Sequence, residues 1–85
     1  MDPSKYSNIS ASALAKTGYG NLRGMYVNST TAGTIKFWDN TSAAGTVINN
    51  TITPAVGYHN LGNVAFSTGL FATIGGVLDV TLHFN

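Results

Sequence analysis

The chain has no cysteine, no glutamate and no glutamine, and only two prolines. Without cysteine there is no disulfide to brace the fold and no thiolate to hold zinc. Without glutamate, paired-carboxylate chemistry falls to Asp2, Asp39 and Asp79, the only acidic residues present. Positive charge is equally sparse: Lys5, Lys16, Arg23 and Lys36 leave a net charge of +1. A nucleic-acid surface needs clustered lysine and arginine, and four scattered cations do not make one. No apolar run approaches the roughly 18 residues of a membrane-spanning helix. Met1-Asp2-Pro3-Ser4-Lys5 lacks the charged-then-apolar pattern of a signal peptide, so the cytosol is the expected place of synthesis.

What is abundant is glycine, threonine, serine and asparagine, the residues of turns and strand surfaces. Eighty-five residues set one domain. A chain this size buries only about 60% of the surface its unfolded form exposes. With disulfides excluded, association is the expected source of further stability. A weakly charged surface suits that, because burying charge is costly.

The apolar residues recur with period two, the spacing of strands. In Val77 to Phe84, Leu78, Val80, Leu82 and Phe84 point one way and Val77, Asp79, Thr81 and His83 the other. In Thr34 to Asp39, Ile35 and Phe37 oppose Lys36 and Trp38. In Asn21 to Asn28, Leu22, Gly24 and Tyr26 oppose Arg23, Met25 and Val27. Thr46 to Thr53 is β-branched and ends at Pro54, which lacks a ladder donor. Val64 to Ser67 and Gly69 to Ile74 read as short strands. Ala11 to Lys16 holds helix formers, but Ile9, Ala11, Ala13 and Ala15 favour a strand over Asn8 to Thr17.

Between these lie a turn at Gly18-Tyr19-Gly20, loops at Ser29 to Gly33 and Asn40 to Gly45, and an irregular stretch from Ala55 to Asn63. Gly75-Gly76 suits a two-residue hairpin, whose type I′ turn needs positive φ at both positions. The expected fold is all-β: a single antiparallel β-sandwich or jelly roll of seven to eight short strands over residues 8–85. Residues 1–7 form an N-terminal arm in this reading.

No chemistry can be assembled from these parts. Gly18-x-Gly20-x-x-x-Gly24 lacks the strand, helix and spacing of a phosphate loop and reads as a turn. His59 and His83 are the only imidazoles and stand in no metal-ligand spacing, with or without Asp39 and Asp79. No nucleophile elbow is present. Asp39-Asn40 opens a loop, where such side chains bond to backbone. No catalytic, cofactor-binding or metal-binding residue is expected, and no enzyme. The candidate partner-binding residues are Tyr6, Tyr19, Trp38 and Tyr58, since tyrosine and tryptophan are enriched in interface hot spots. Trp38 points away from Ile35 and Phe37, so its strand carries large apolar groups on both faces. Such a strand is internal or covered by a partner.

Three stretches carry a family resemblance. They are Tyr6 to Gly18, Thr34 to Ile48 around Trp38-Asp39-Asn40, and Phe66 to Thr81 with Gly75-Gly76. In these the chain resembles small virion structural proteins of tailed bacteriophages. The likeness spans most of residues 6–84 and is weakest from Ala55 to Val64. It implies a capsid decoration, or cement, protein on the capsid surface of a virion assembled in the host cytoplasm. Such a protein bridges and stabilises major capsid subunits. The implied partners are the major capsid protein and further copies of the chain, with no nucleic acid, membrane or cofactor. The alternative is a tail, neck or fibre-associated binding module, adhesin-like, contacting the host surface or another tail protein. Tyr19, Tyr58 and Trp38 would then form a stacking platform.

Overall fold

In the computed structural model, which describes residues 4–85, the alternation of Val77 to Phe84 is realised. Leu78, Val80, Leu82 and Phe84 are buried, and the residues between them lie on the opposite face. The fold is all-β, with 77% of the described residues in strands and no helix among them. The strands are β1 (Lys5–Ile9), β2 (Ala13–Thr17), β3 (Gly20–Asp39), β4 (Thr46–Ile52), β5 (Gly57–Phe66) and β6 (Gly69–Phe84). They form one continuous antiparallel sheet of six strands. The expected all-β antiparallel fold is present, but the seven to eight short strands are six, fewer and longer, in a single sheet.

The reason is the length of β3 and β6, 20 and 16 residues. They pair from Leu22 with Phe84 to Asp39 with Leu70. A straight 20-residue strand would run about 65 Å, yet the longest dimension of the molecule is 31 Å. The ribbon therefore doubles back. Its two ends meet: Gly20 pairs with Phe66, and the Asp39 carboxylate accepts the amide of adjacent Ser67 at 3.0 Å.

The bend falls where the β3–β6 register shifts, between Val27 and Ser29 and between Thr31 and Ala32. Extra residues on one strand bend and twist a ribbon. Ala32 and Gly76 take left-handed backbone there, at φ 51° and 68°. Gly33 lets the two strands close up; a Cβ on it would strike the Val77 carbonyl and sit 2.7 Å from Leu78 Cβ. Ser29 to Gly33 is thus not a loop, and Gly75-Gly76 is not a hairpin turn. Both are strand, and Thr34 pairs with Gly75. Gly75 does not have the positive φ that a type I′ turn demands.

The bend divides the sheet into two halves. In the Tyr26 half the order is β1-β6-β3-β5; in the Trp38 half it is β2-β6-β3-β4. Each half buries one face, and the inward side chains form one cluster. Met25, Val27, Val80 and Leu82 come from the first half and Ile35, Phe37, Leu70 and Ala72 from the second. Leu22 joins Met25 and Val27 inside, because a register shift between Leu22 and Gly24 reverses the simple alternation.

Other boundaries move for the same long-range reasons. Lys5 to Ile9 is a strand on β6, with Ile9 buried, so Lys5 to Ser7 of the expected arm belong to the sheet. The arm's first three residues lie outside the described residues. The single strand expected from Asn8 to Thr17 is broken in two, since β1 and β2 pair with different halves of β6. The stretch expected to be irregular is mostly β5, with left-handed backbone at Gly62 and Asn63 absorbing a register shift against β3.

Candidate functional site

Side chains directly across neighbouring strands share a face. On the outer face of the Tyr26 half, one row runs Asn8, Thr81, Tyr26, Tyr58, and the next runs Tyr6, His83, Gly24. Tyr6 is 77% exposed, Tyr58 52% and Tyr26 45%. The Tyr58 ring leans onto Gly24, where any Cβ would strike its hydroxyl and lie 2.7 Å from Cζ. It also reaches His83, with ring centroids 5.7 Å apart. A glycine on β3 is what lets this ring lie down on the sheet.

Beside the rings is a polar cluster. Asn8 Nδ2 donates to Asp79 Oδ1 at 2.8 Å and to Thr81 Oγ1 at 3.2 Å. Asn28 Nδ2 donates to the same two oxygens, at 3.1 and 3.2 Å. Two amides from β1 and β3 thus grip one carboxylate and one hydroxyl of β6. The partners of Asp79 in this grip are amides, not cations.

The outer face of the Trp38 half differs in character. Leu14, Phe71, Trp38 and Val47 form a row across four strands. Leu14 and Val47 are exposed at its ends, and Phe71 and Trp38 are half-buried between them. The Trp38 indole N–H donates to Thr73 Oγ1 at 2.8 Å, and Lys36 Nζ sits 4.3 Å above the ring. This fixes the ring orientation and leaves an apolar strip with a single cation beside it.

Tyr19 belongs to neither face. It stands at the corner between β2 and β3 and lines an open cleft of about 340 Å³ between Lys16–Asn21 and Asn85. Of the residues expected from sequence, the structure brings together Tyr6 and Tyr58 only. Trp38 lies on the other half and Tyr19 at the corner, so the platform of Tyr19, Tyr58 and Trp38 is not formed. Sequence reasoning missed Tyr26, Asn8, Asn28, Asp79, Thr81 and His83 as neighbours. The alternation of β6 already placed Asp79, Thr81 and His83 on one face; the pairing with β1 and β3 completes the set.

The remaining titratable groups have local roles. Asp39 Oδ1 accepts the amides of Ser67, Thr68 and Gly69 at 3.0, 2.8 and 3.4 Å. Desolvation raises the pKa of this carboxyl, but the backbone amides of Thr68, Ser67 and Gly69 together outweigh it and hold the pKa below the usual value. Asn40 closes its own turn, accepting the Thr41 amide and donating to the Ala44 carbonyl, both at 2.8 Å. His59 Nε2 is 2.7 Å from the Ala55 carbonyl, its partner in the preceding loop. Among the described residues, no three His, Cys, Asp or Glu side chains gather where they could hold a metal ion. Comparison of the chain with protein-family models, curated proteins and solved structures gives no match.

Proposed function

We propose that the chain is a structural docking module, a capsid decoration protein of a tailed phage that bridges and stabilises major capsid subunits. One observation carries the reading: the apolar row Leu14, Phe71, Trp38, Val47 on the outside of a small sheet. The row is oriented, uncharged apart from Lys36 beside it, and left open to solvent at Leu14 and Val47 by the described residues. Trp38 at its centre has the geometry of an anchor, its ring held by Thr73 and by Lys36.

In this role the partner binds only the folded state. Mass action then adds about 2.7 kcal/mol when partner sites stand at a hundred times the dissociation constant. That is a large fraction of the stability of a small domain. The contacts are mostly uncharged, so binding falls little between low and moderate salt. The deciding measurement is copy number in purified virions by quantitative mass analysis. Hundreds of copies per particle support decoration, and absence from virions removes it.

A second reading, a tail or fibre-associated binding module, draws support from the other outer face. There the exposed groups are tyrosines and amides in place of aliphatic side chains. A few to dozens of copies per particle would favour this reading.

A further inference from the structure

We propose that the outer face of the Tyr26 half binds a neutral oligosaccharide. The proposal goes beyond particle docking and stands whether the module is mounted on a capsid or a tail. A face docked through the Trp38 row leaves the Tyr26 half on the far side of the molecule.

A sugar ring offers an apolar C–H face and a rim of hydroxyls that donate and accept. It therefore needs flat apolar surface beside oriented acceptors. Tyr6, Tyr26 and Tyr58 supply the first, exposed and spread over three strands. The row from Asn8 to Tyr58 spans three interstrand steps, roughly 14 Å, long enough for a short oligosaccharide.

The second comes from the cluster on Asp79. Both asparagine amides donate to Oδ1, which among the described residues leaves Oδ2 for an outside donor. The same bonds fix both amide groups, so the carbonyl oxygens of Asn8 and Asn28 are also preset acceptors. Hydrogen bonds from a hydroxyl to an ionised carboxylate are the stronger, charge-assisted kind.

This combination selects among occupants. An anion would be repelled by Asp79. An apolar protein surface would bury the carboxylate without filling its second oxygen, which is costly. A small cation would leave three aromatic faces unused. A neutral ligand with several hydroxyls and an apolar flank satisfies every group.

The test is titration of the full ¹⁵N-labelled chain with cellotriose, chitotriose, maltotriose and mannotriose. The side-chain amide signals of Asn8 and Asn28 report directly on the cluster. At least one of these sugars is expected to shift both signals saturably. Tyr26→Ala and Asp79→Asn should each weaken binding about tenfold or more, with the backbone spectrum otherwise retained. Tyr6→Ala, at the most exposed ring of the face, gives a third variant that leaves the core untouched and should also weaken binding. Tyr19→Ala, at the corner, should bind like the parent. No saturable shift with any of the four sugars overturns the proposal, as does binding that survives Tyr6→Ala, Tyr26→Ala and Asp79→Asn unchanged. Either failure leaves the copy-number test of docking unaffected.

Discussion

The Asp39 carboxylate at the end of β3 accepts the backbone amide of Thr68 at 2.8 Å, in the turn that leads into β6. The bond ties the two ends of the bent ribbon. Residues 66 to 69 leave the Tyr26 half and enter the Trp38 half, and Asp39 holds them as they cross. One charged side chain thus serves as the clasp of a sheet whose core is entirely apolar.

Acid should open this clasp. The folded pKa of Asp39 lies below its ordinary value because Thr68, Ser67 and Gly69 outweigh desolvation. A depressed folded pKa contributes stability that is present above the unfolded value, about 3.9. That contribution is lost as pH falls through the folded value. The melting temperature should therefore drop below about pH 4. Asp39→Asn should melt lower at neutral pH and lose less on acidification. Equal acid sensitivity in parent and variant would show that the clasp is not its source.

The bend should be the part of the ribbon least tolerant of added atoms. Gly33→Ala places a Cβ against the backbone of Val77 and the Cβ of Leu78, and neither can swing aside. Gly76→Val forces a β-branched residue to φ 68°, at a cost of about 1–3 kcal/mol. In a domain this size each kcal/mol lowers the melting temperature by about 4–8 °C. Gly75→Ala meets only the Thr34 hydroxyl, at 2.7 Å, which can rotate away, so its loss should be the smallest of the three. A melting series in which Gly75→Ala is the most damaging would contradict this placement of the bend.

The same glycines explain where the sequence misleads. Alternation over Val77 to Phe84 is a local property, and it placed Leu78, Val80, Leu82 and Phe84 in the core correctly. Gly75-Gly76 gives the same local signal in a hairpin turn and in a bent strand. What separates the two is Thr34 pairing with Gly75, a contact between distant residues. The candidate face follows the same rule. Exposed tyrosines are legible one at a time, but Asn8 and Asn28 reach Asp79 across 71 and 51 positions, and only the register brings them together.

Truncation tests the placement of β1. Removing residues 1–7 takes away Lys5, Tyr6 and Ser7, which pair with Phe84, His83 and Leu82. It also frees the chain that seats buried Ile9. The truncated protein should melt lower and show faster amide exchange at Leu82 and Phe84. A truncation with unchanged melting and exchange would mean that β1 adds nothing to the sheet and serves as a free arm.

Trp38→Ala separates docking from folding. The ring is half-buried on the outer face, outside the apolar cluster, so its loss should leave the isolated fold intact. The variant gives up the Thr73 hydrogen bond and the surface beneath Lys36, and with them the centre of the apolar row. Central aromatic anchors carry most of the energy of an interface, at about 2 kcal/mol or more each. Occupancy on particles should therefore fall well over tenfold at limiting protein, with far-UV spectrum and melting close to the parent. Lys36→Ala removes the lone cation and keeps the indole, so it should load nearly as well, at low and moderate salt alike. Normal loading of Trp38→Ala would move the contact off this face. Strong salt-dependent loss in Lys36→Ala would mean that charge, not the apolar row, holds the module in place.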